Sequence, residues 1–283
     1  MSDYMSSGNL VTDTREIAVS QEWESQSDWE AYQERNNIEI VNGTLQLEAV
    51  EVPTENLEHH YQVEDFTTSL WEDSVSNNDI DVSGLSKDEN EFGGFGGIQS
   101  DGSTDYGVSG QPIDPFEPWA LAFSFNTTDT GIFGYRDRVN DDNDWRRFYF
   151  STAGFSDATE GHLAFEFTAT HSSVSSDGLL VETDSVVNDG TDYKVIIQNT
   201  ASDPNADDIQ IYLDTSDNEV STNIYNNTQS GTVFTTDDFG YFAQFNEREN
   251  TIDWHWEITM SDILWYSDYL DSNQRDSIMS YLP

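Results

Sequence analysis

Residues 258–283 read "ITMSDILWYSDYLDSNQRDSIMSYLP", and the periodicity of this stretch changes part-way. It opens as an alternating run of aliphatic and aromatic residues, which is a strand pattern. It closes with Leu270, Ile278 and Leu282 spaced to face one side of a helix. Asp271 or Ser272 offers a side-chain oxygen to cap the first turn of that helix. A strand passing straight into a short helix predicts a β-fold closed by a helix that packs back on it.

Upstream, the same strand texture recurs. "WALAFSFNT", "TGIFGYRD", "RRFYFST", "HLAFEFTATHS", "YKVIIQNT", "DIQIYLDT" and "GYFAQFN" are short β-rich runs separated by Asn, Asp, Ser and Gly clusters. Many short strands with frequent turn signals predict an antiparallel sandwich. Alternation puts Leu121, Phe123 and Phe125 on one face, with Ala122 and Ser124 on the other. Val195 and Ile197 likewise alternate with Lys194 and Ile196. Nearer the start, "IEIVNGTLQLEAV" reads as a hairpin across an Asn42-Gly43 type I′ turn. Ser27 is placed to cap a short helix over residues 29–35, and residues 1–20 are polar. The expected organisation is an anchoring or assembly segment over 1–60 and a sandwich over 91–283. Residues 61–90 read either as a connector or as the first strands of the sandwich, with Phe66 and Trp71 as anchors.

Composition narrows the functional classes. The 283 residues carry 55 Asp and Glu against 10 Lys and Arg, a formal charge of −45. Only Lys87 and Lys194 are lysines. Eight Trp, thirteen Tyr and sixteen Phe in patterned runs argue against a disordered chain. A folded, acid-coated, lysine-poor protein suits very high salt, where the Debye length shrinks to about 3 Å and self-repulsion is screened. Direct nucleic-acid binding is not expected, since phosphate contacts need cations. Without cysteine there are no disulfides or thiolate metal sites. No apolar run approaches a membrane span, and no secretory apolar segment follows Met1, so membrane insertion and signal-directed export are not expected.

The closing stretch resembles the last strand and helix of concanavalin A-like, laminin-G-like jelly rolls. Asp262, Ile263, Leu264, Trp265 and Tyr266 match the strand; Leu270, Gln274, Arg275, Ile278, Tyr281 and Leu282 match the helix. The family's usual Ser and Glu in that helix are replaced by Asp271 or Ser272 and by Gln274. "FGGIQSDGSTDYGV", "PWALAFSFNTTDTGIFGY" and "NDGTDYKVIIQNTASDPNADDIQIYLD" are similar to further segments of the family in the same order. The resemblance covers residues 91–283 and implies two curved antiparallel sheets. "SQSDWEAYQERNNIEIVNGTLQL" is similar, more loosely, to segments preceding such domains in structural proteins of tailed viruses and in haloarchaeal surface proteins.

Candidate chemistry competes with bland readings. "IDWHWEIT" places Asp253, His255 and Glu257 on one strand face and Trp254 and Trp256 on the other. The first set suits a general base, a metal site or a paired-carboxylate glycosidase. His255 interrupts the run of acids a glycosidase needs, so a solvated polar face is the reading adopted, with no catalytic residues. Trp254 and Trp256 read as core. Tyr135 and Trp145, beside the acidic run "RDRVNDDNDW", are the expected exposed ligand contacts. Relatives with laminin-G-like domains hold Ca²⁺ in rim loops, which makes Asp101 with Asp105, and Asp203 with Asn205 and Asp207, the candidate Ca²⁺ ligands; no cofactor is required. "SDPNADD" has the alternate spacing of a calcium loop start but lacks its Gly and closing Glu. His59-His60 reads as an isolated pair in a polar stretch.

These readings imply an attachment or assembly role. The first expectation is a virion structural protein of a tailed virus of halophilic archaea, made in the host cytoplasm and displayed on the particle surface. It would be a homo-oligomer joined to other virion proteins by its N-terminal segment, and it would meet a host glycan or glycoprotein. The alternatives are a non-viral haloarchaeal carbohydrate-binding or adhesion module, and a glycoside hydrolase or lyase on the same fold.

Overall fold

The computed structural model describes residues 38–41, 44–47, 52–138, 145–154, 157–172, 177–231, 238–246 and 250–283. The chain divides into two units, residues 1–51 and 52–283. In the first, β1 (Ile38–Val41) pairs antiparallel with β2 (Thr44–Leu47), Val41 opposite Thr44 and Ile38 opposite Leu47. That register leaves two residues between the strands, as an Asn-Gly hairpin requires. Asn42, Gly43 and the helix expected over residues 29–35 lie outside the described residues.

The second unit contains β3 (Leu57–Phe66), β4 (Leu70–Asp73), β5 (Ile80–Ser83), β6 (Ser86–Asp88), β7 (Gly97–Gln99), β8 (Tyr106–Gly110) and β9 (Trp119–Asn126). It continues through β10 (Ile132–Arg138), β11 (Trp145–Ser151), β12 (His162–Ser172), β13 (Leu179–Val186), β14 (Tyr193–Asn199), β15 (Ile209–Leu213) and β16 (Ser221–Asn226). The last elements are β17 (Asp238–Tyr241), β18 (Gln244–Asn246), β19 (Thr251–Asp253), β20 (Thr259–Tyr266) and the helix α1 (Ser272–Tyr281). Among the described residues, one sheet runs β16-β13-β12-β11-β10-β18-β19. The larger sheet runs β15-β14-β9-β20-β3-β4-β5-β8-β17, with β7 pairing β20 and β6. Pairing is antiparallel apart from β10 with β18. The architecture is therefore an all-β two-sheet sandwich with a short C-terminal helix. β3, β4 and β5, which fall in residues 57–83, lie inside the larger sheet.

Alternation along the strands explains the core. Leu121, Phe123 and Phe125 point between the sheets and are essentially inaccessible. They join Trp119, Phe148, Phe150, Phe165 and Trp265, whose rings meet edge-on or tilted; Phe150–Phe165 centroids are 5.2 Å apart and Trp119–Phe165 5.3 Å. Burying each such side chain contributes roughly 1.5–3 kcal/mol, and offset ring geometry adds to it.

The opposite face of β9, β14 and β20 is also apolar, because α1 covers it. Ala120, Ala122, Ile196, Leu264 and Tyr266 pack against Leu270, Ile278, Met279 and Leu282. Asp271 is the cap: its carboxylate accepts from Gln274 N at 2.9 Å, and Gln274 Oε1 accepts from Asp271 N at 2.9 Å. Lys194 reaches up from β14 to donate to Met279 O at 2.9 Å, near the helix C-terminus. Replacing Asp271 with Ala should cost about 1 kcal/mol, the usual loss of an N-cap. A denaturant titration would read this as a lower midpoint at unchanged slope.

Candidate functional site

Three connections meet at one rim of the sandwich. They follow β7, β9 and β19, and the last of them carries the chain from the smaller sheet to the larger. That crossing breaks the run expected from "IDWHWEIT". The strand ends at Asp253 and resumes at Thr259, so Asp253, His255 and Glu257 do not form one strand face.

Trp256 anchors the crossing. It is fully buried, its Nε1 donates to Thr127 Oγ1 at 3.1 Å, and its N donates to Phe242 O at 2.8 Å. Gly131 is required beside it, since a Cβ there would sit 2.3 Å from Trp256 Cγ. Thr127 Oγ1 donates in turn to Glu257 O at 2.6 Å. The loop after β7 closes on the same segment. Gly102, at φ +71°, lies so close to Glu257 that a Cβ would come within 3.0 Å of Glu257 N. His255 Nδ1 donates to Asp105 O at 2.9 Å, and its ring centroid lies 6.4 Å from that of Tyr106.

Trp254 differs from its neighbours. Its φ is +55° and its side chain is 49% exposed. A bulky residue in the left-handed region is a backbone outlier, and holding it there costs on the order of 1–3 kcal/mol. Trp254 was expected in the core beside Trp256. The sheet-to-sheet turn instead sends the two rings to different environments.

Asp253 ties the rim to the outward face of the smaller sheet. Its Oδ2 accepts from Arg136 Nη2 at 2.8 Å and from Asn246 Nδ2 at 3.2 Å. On the same face Arg147 pairs with Glu166, and Tyr149 donates to Glu166 Oε2 at 2.6 Å. Glu166 is buried, so this ion pair sits in a protected setting rather than in free solvent.

The remaining expected site residues are dispersed. Tyr135 is not an exposed contact: its register opposite Phe148 and Phe245 turns it inward, where it is fully buried and accepts from Arg146 Nη2 at 3.3 Å. Trp145 begins β11 opposite Arg138, and its side chain lies outside the described residues, as do residues 139–144. Asp101 and Asp105 stabilise their own loop. Asp105 Oδ2 accepts from Asp101 N at 2.9 Å, and Asp101 Oδ1 accepts from Ser103 N and Oγ at 2.9 and 2.7 Å. The Ser103 hydrogen bonds hold the Asp101 carboxyl below its ordinary range.

Asp203 takes a left-handed backbone, and Asn205 caps a 3₁₀ turn by accepting from Asp207 N at 2.8 Å. Asp207 accepts from Asn223 and Asn226 side-chain amides at 2.6 and 2.9 Å. Calcium requires six to eight oxygens directed at one point. Here Asp105 Oδ2, Asp101 Oδ1 and Asn205 Oδ1 accept hydrogen bonds from within their own loops, and the Asp207 carboxylate accepts from two side-chain amides. Among the described residues, no group of three or more His, Asp or Glu side chains is gathered for a metal.

His59 and His60 are not isolated. His59 Nδ1 lies 2.7 Å from Asp73 Oδ2 and 3.0 Å from Ser76 Oγ, while Nε2 donates to Pro112 O at 2.8 Å. These three side chains do not form a nucleophilic triad, because no ring nitrogen is left to take a proton from Ser76. On the other side of β3, His60 Nε2 lies 3.2 Å from the Tyr281 hydroxyl, which donates to Asp262.

No family model matches the chain, and no curated protein matches it either. Solved structures do. The binding domain of botulinum neurotoxin DC in complex with SialylT is similar at TM-score 0.52 and 11% identity, over 81% of this chain and 52% of that one. The binding domain of Paraclostridial Mosquitocidal Protein 1 is similar at TM-score 0.50 and 9% identity, over 79% of this chain and 52% of that one. Trypanosoma rangeli sialidase in complex with the inhibitor DANA is similar at TM-score 0.51 and 13% identity, over 89% of this chain and 37% of that one. The chain thus spans about half the length of the two toxin domains it matches. At these identities the likeness establishes the fold.

Proposed function

We propose that the chain is a glycan-binding β-sandwich module and that its ligand stacks on Trp254. The observation that carries this reading is the Trp254 ring, held nearly half exposed by a strained backbone. Strain retained at a surface aromatic is more often functional than structural. A flat apolar ring flanked by hydrogen-bonding groups is the usual way to grip the C–H face and hydroxyls of a sugar. Tyr106, His255 and Glu257 supply those groups at the rim. The fold likeness to the botulinum neurotoxin binding domain, solved with SialylT, supports the same class. Binding is favoured over hydrolysis, because Asp253 is occupied by Arg136 and does not share a strand face with Glu257.

The setting we propose is the surface of a virion or cell envelope in strong brine. Its support is the charge of −45 and the resemblance of residues 25–47 to segments of tailed-virus and haloarchaeal surface proteins. The N-terminal unit would anchor a homo-oligomer there. Detection of the chain in purified virions would favour the particle; detection only on cell envelopes would favour a cellular adhesion module.

The test of the site is Trp254→Gly. Glycine removes the ring and is at ease at positive φ. The variant should therefore melt at the same or a higher temperature, yet lose binding on a glycan array by at least about tenfold, a difference of about 1.4 kcal/mol. Unchanged array binding would refute the assignment.

A further inference from the structure

We infer that the sandwich carries a second sugar site, in a polar cavity on the loop after β16, at the rim opposite Trp254. The inference takes its ligand class from the glycan-binding reading above and goes beyond it in location. Strand register separates the two rims. Trp256 bonds to Thr127, just past the C-terminal end of β9. β14 runs antiparallel to β9, with Tyr193 opposite Phe125 and Asn199 opposite Trp119, so the turn after β14 lies at the other end of β9. The loop after β16 belongs to that end. Gln229 N donates to Pro204 O at 2.7 Å, and Asp203 N donates to Phe116 O at 2.8 Å. A Cβ on Gly231 would come 2.9 Å from Phe116 Cζ. The 8 residues of β9, at about 3.3 Å each, put roughly 26 Å between the rims.

The cavity has a volume of about 360 Å³ and is lined, among the described residues, by Ala169, Asp177, Asn227, Thr228, Gln229 and Ser230. Small-ligand pockets run from about 300 to 1,000 Å³ and are ordinarily apolar. This one is walled by hydroxyls, amides and a carboxylate, and Ala169 alone in that lining is apolar. Such walls suit a ligand that is polar over its whole surface, as a sugar is, and disfavour an apolar one, which could not satisfy them.

The floor of the cavity is fixed. Gln229 is buried and its amide is fully engaged: Oε1 accepts from Ala169 N at 2.8 Å, and Nε2 donates to Asp177 O at 2.6 Å and Asn227 O at 2.9 Å. Asn227 Nδ2 donates to Gly178 O at 2.8 Å, just ahead of β13. These bonds bolt the loop to β12 and to the approach to β13. The mouth, by contrast, carries groups that the fold does not use. Thr228 and Ser230 are exposed, and no hydrogen bond engages their hydroxyls or Asn227 Oδ1. Each hydroxyl can both donate and accept, and the amide oxygen accepts. Neighbouring hydroxyls of a sugar ring offer the complementary set. Because the backbone behind these groups is already ordered, binding there avoids the cost of fixing a loop.

The experiment compares three forms of the full chain in molar NaCl: native, Trp254→Gly, and the double variant Thr228→Val with Ser230→Ala. Each is probed on an array of mono- and disaccharides, too short to span the two rims. The substituted hydroxyls are exposed and unbonded, so the double variant should melt at the native temperature. A subset of the saccharides should weaken by at least about tenfold in the double variant and be unaffected by Trp254→Gly. Binding of every saccharide unchanged in the double variant would overturn the inference and leave the Trp254 assignment standing. Losses in the double variant alone, with Trp254→Gly native on every saccharide, would uphold the inference and remove the Trp254 assignment. Absence of binding to every saccharide by the native chain would remove the glycan-binding reading, and the inference with it.

Discussion

Replacing Asp73 with Ala should destabilise the sandwich by about 3–5 kcal/mol, because it leaves several buried donors unsatisfied at about 1–3 kcal/mol each. Asp73 is buried and accepts from His59 Nδ1 at 2.7 Å, Ser76 Oγ at 2.5 Å, and the backbone N–H of His60 and Val75 at 3.0 Å each. Both ring nitrogens of His59 face oxygen acceptors, Asp73 on one side and Pro112 O on the other. Loss of the carboxylate would strand the ring N–H of His59, the Ser76 hydroxyl and two backbone N–H groups at the β3–β4 junction. For a unit of this size that corresponds to a fall of roughly 6–20 °C in melting temperature.

Asp73→Asn gives the pH test. Burial alone would raise the Asp73 carboxyl, but the hydrogen bonds from His59, Ser76 and the two backbone amides outweigh it and hold the group well below the usual carboxylate range. A depressed carboxyl stabilises the fold fully above its unfolded value of about 3.9, and that contribution fades as pH falls toward the folded value. The gap in melting temperature between the native chain and Asp73→Asn should hold from pH 7 to about 5 and shrink below about pH 4. A gap that stays constant down to pH 3 would show that the ionised carboxylate is not what Asp73 contributes.

The architecture was legible in the sequence because its signals are local. The strand-to-helix change at residues 258–283 is written in two periods, and both appear: Ile263 and Trp265 face the inter-sheet core, while Leu264 and Tyr266 lie under the helix capped by Asp271. The hairpin at Asn42-Gly43 is legible for the same reason, since two residues determine its register.

The site was not legible, because its geometry is set at long range. Nothing in "IDWHWEIT" marks the crossing between sheets; no Gly or Pro stands there, and the turn falls on Trp254 itself. Acidic neighbours made Tyr135 look exposed, but cross-strand pairing with Phe148 decides which face it takes. His59 and His60 find Asp73 and Asp262 on other strands, and only the sheet order brings them together. In a chain with 55 acidic residues, composition cannot separate those two carboxylates from the ones that merely hydrate the surface.

Transfer from molar salt to dilute buffer should lower the melting temperature by more than about 10 °C, because folding brings the carboxylates of a chain with net charge −45 closer together than in the unfolded state. The Debye length grows from about 3 Å at 1 M to about 30 Å at 0.01 M, so carboxylates that are invisible to each other in brine repel across the whole surface in dilute buffer. With ten cations in the sequence, and Arg136 and Arg147 already matched to Asp253 and Glu166, little local compensation is available. Mild acid separates this diffuse repulsion from the specific pairs. Lowering the pH from 7 to about 5 in dilute buffer begins to protonate surface carboxylates and should recover part of the lost stability. Asp73 and Asp262 stay ionised there, since hydrogen bonds outweigh burial and keep both below the ordinary range. Below about pH 4 the two effects oppose each other, and the recovery should stall and reverse as these pairs begin to fail. Circular dichroism melts in 2 M and 0.02 M NaCl across this pH range would read both limbs. Equal melting temperatures in the two salts at pH 7 would sink the high-salt reading, and sucrose, which is uncharged, should not substitute for NaCl if screening is the cause.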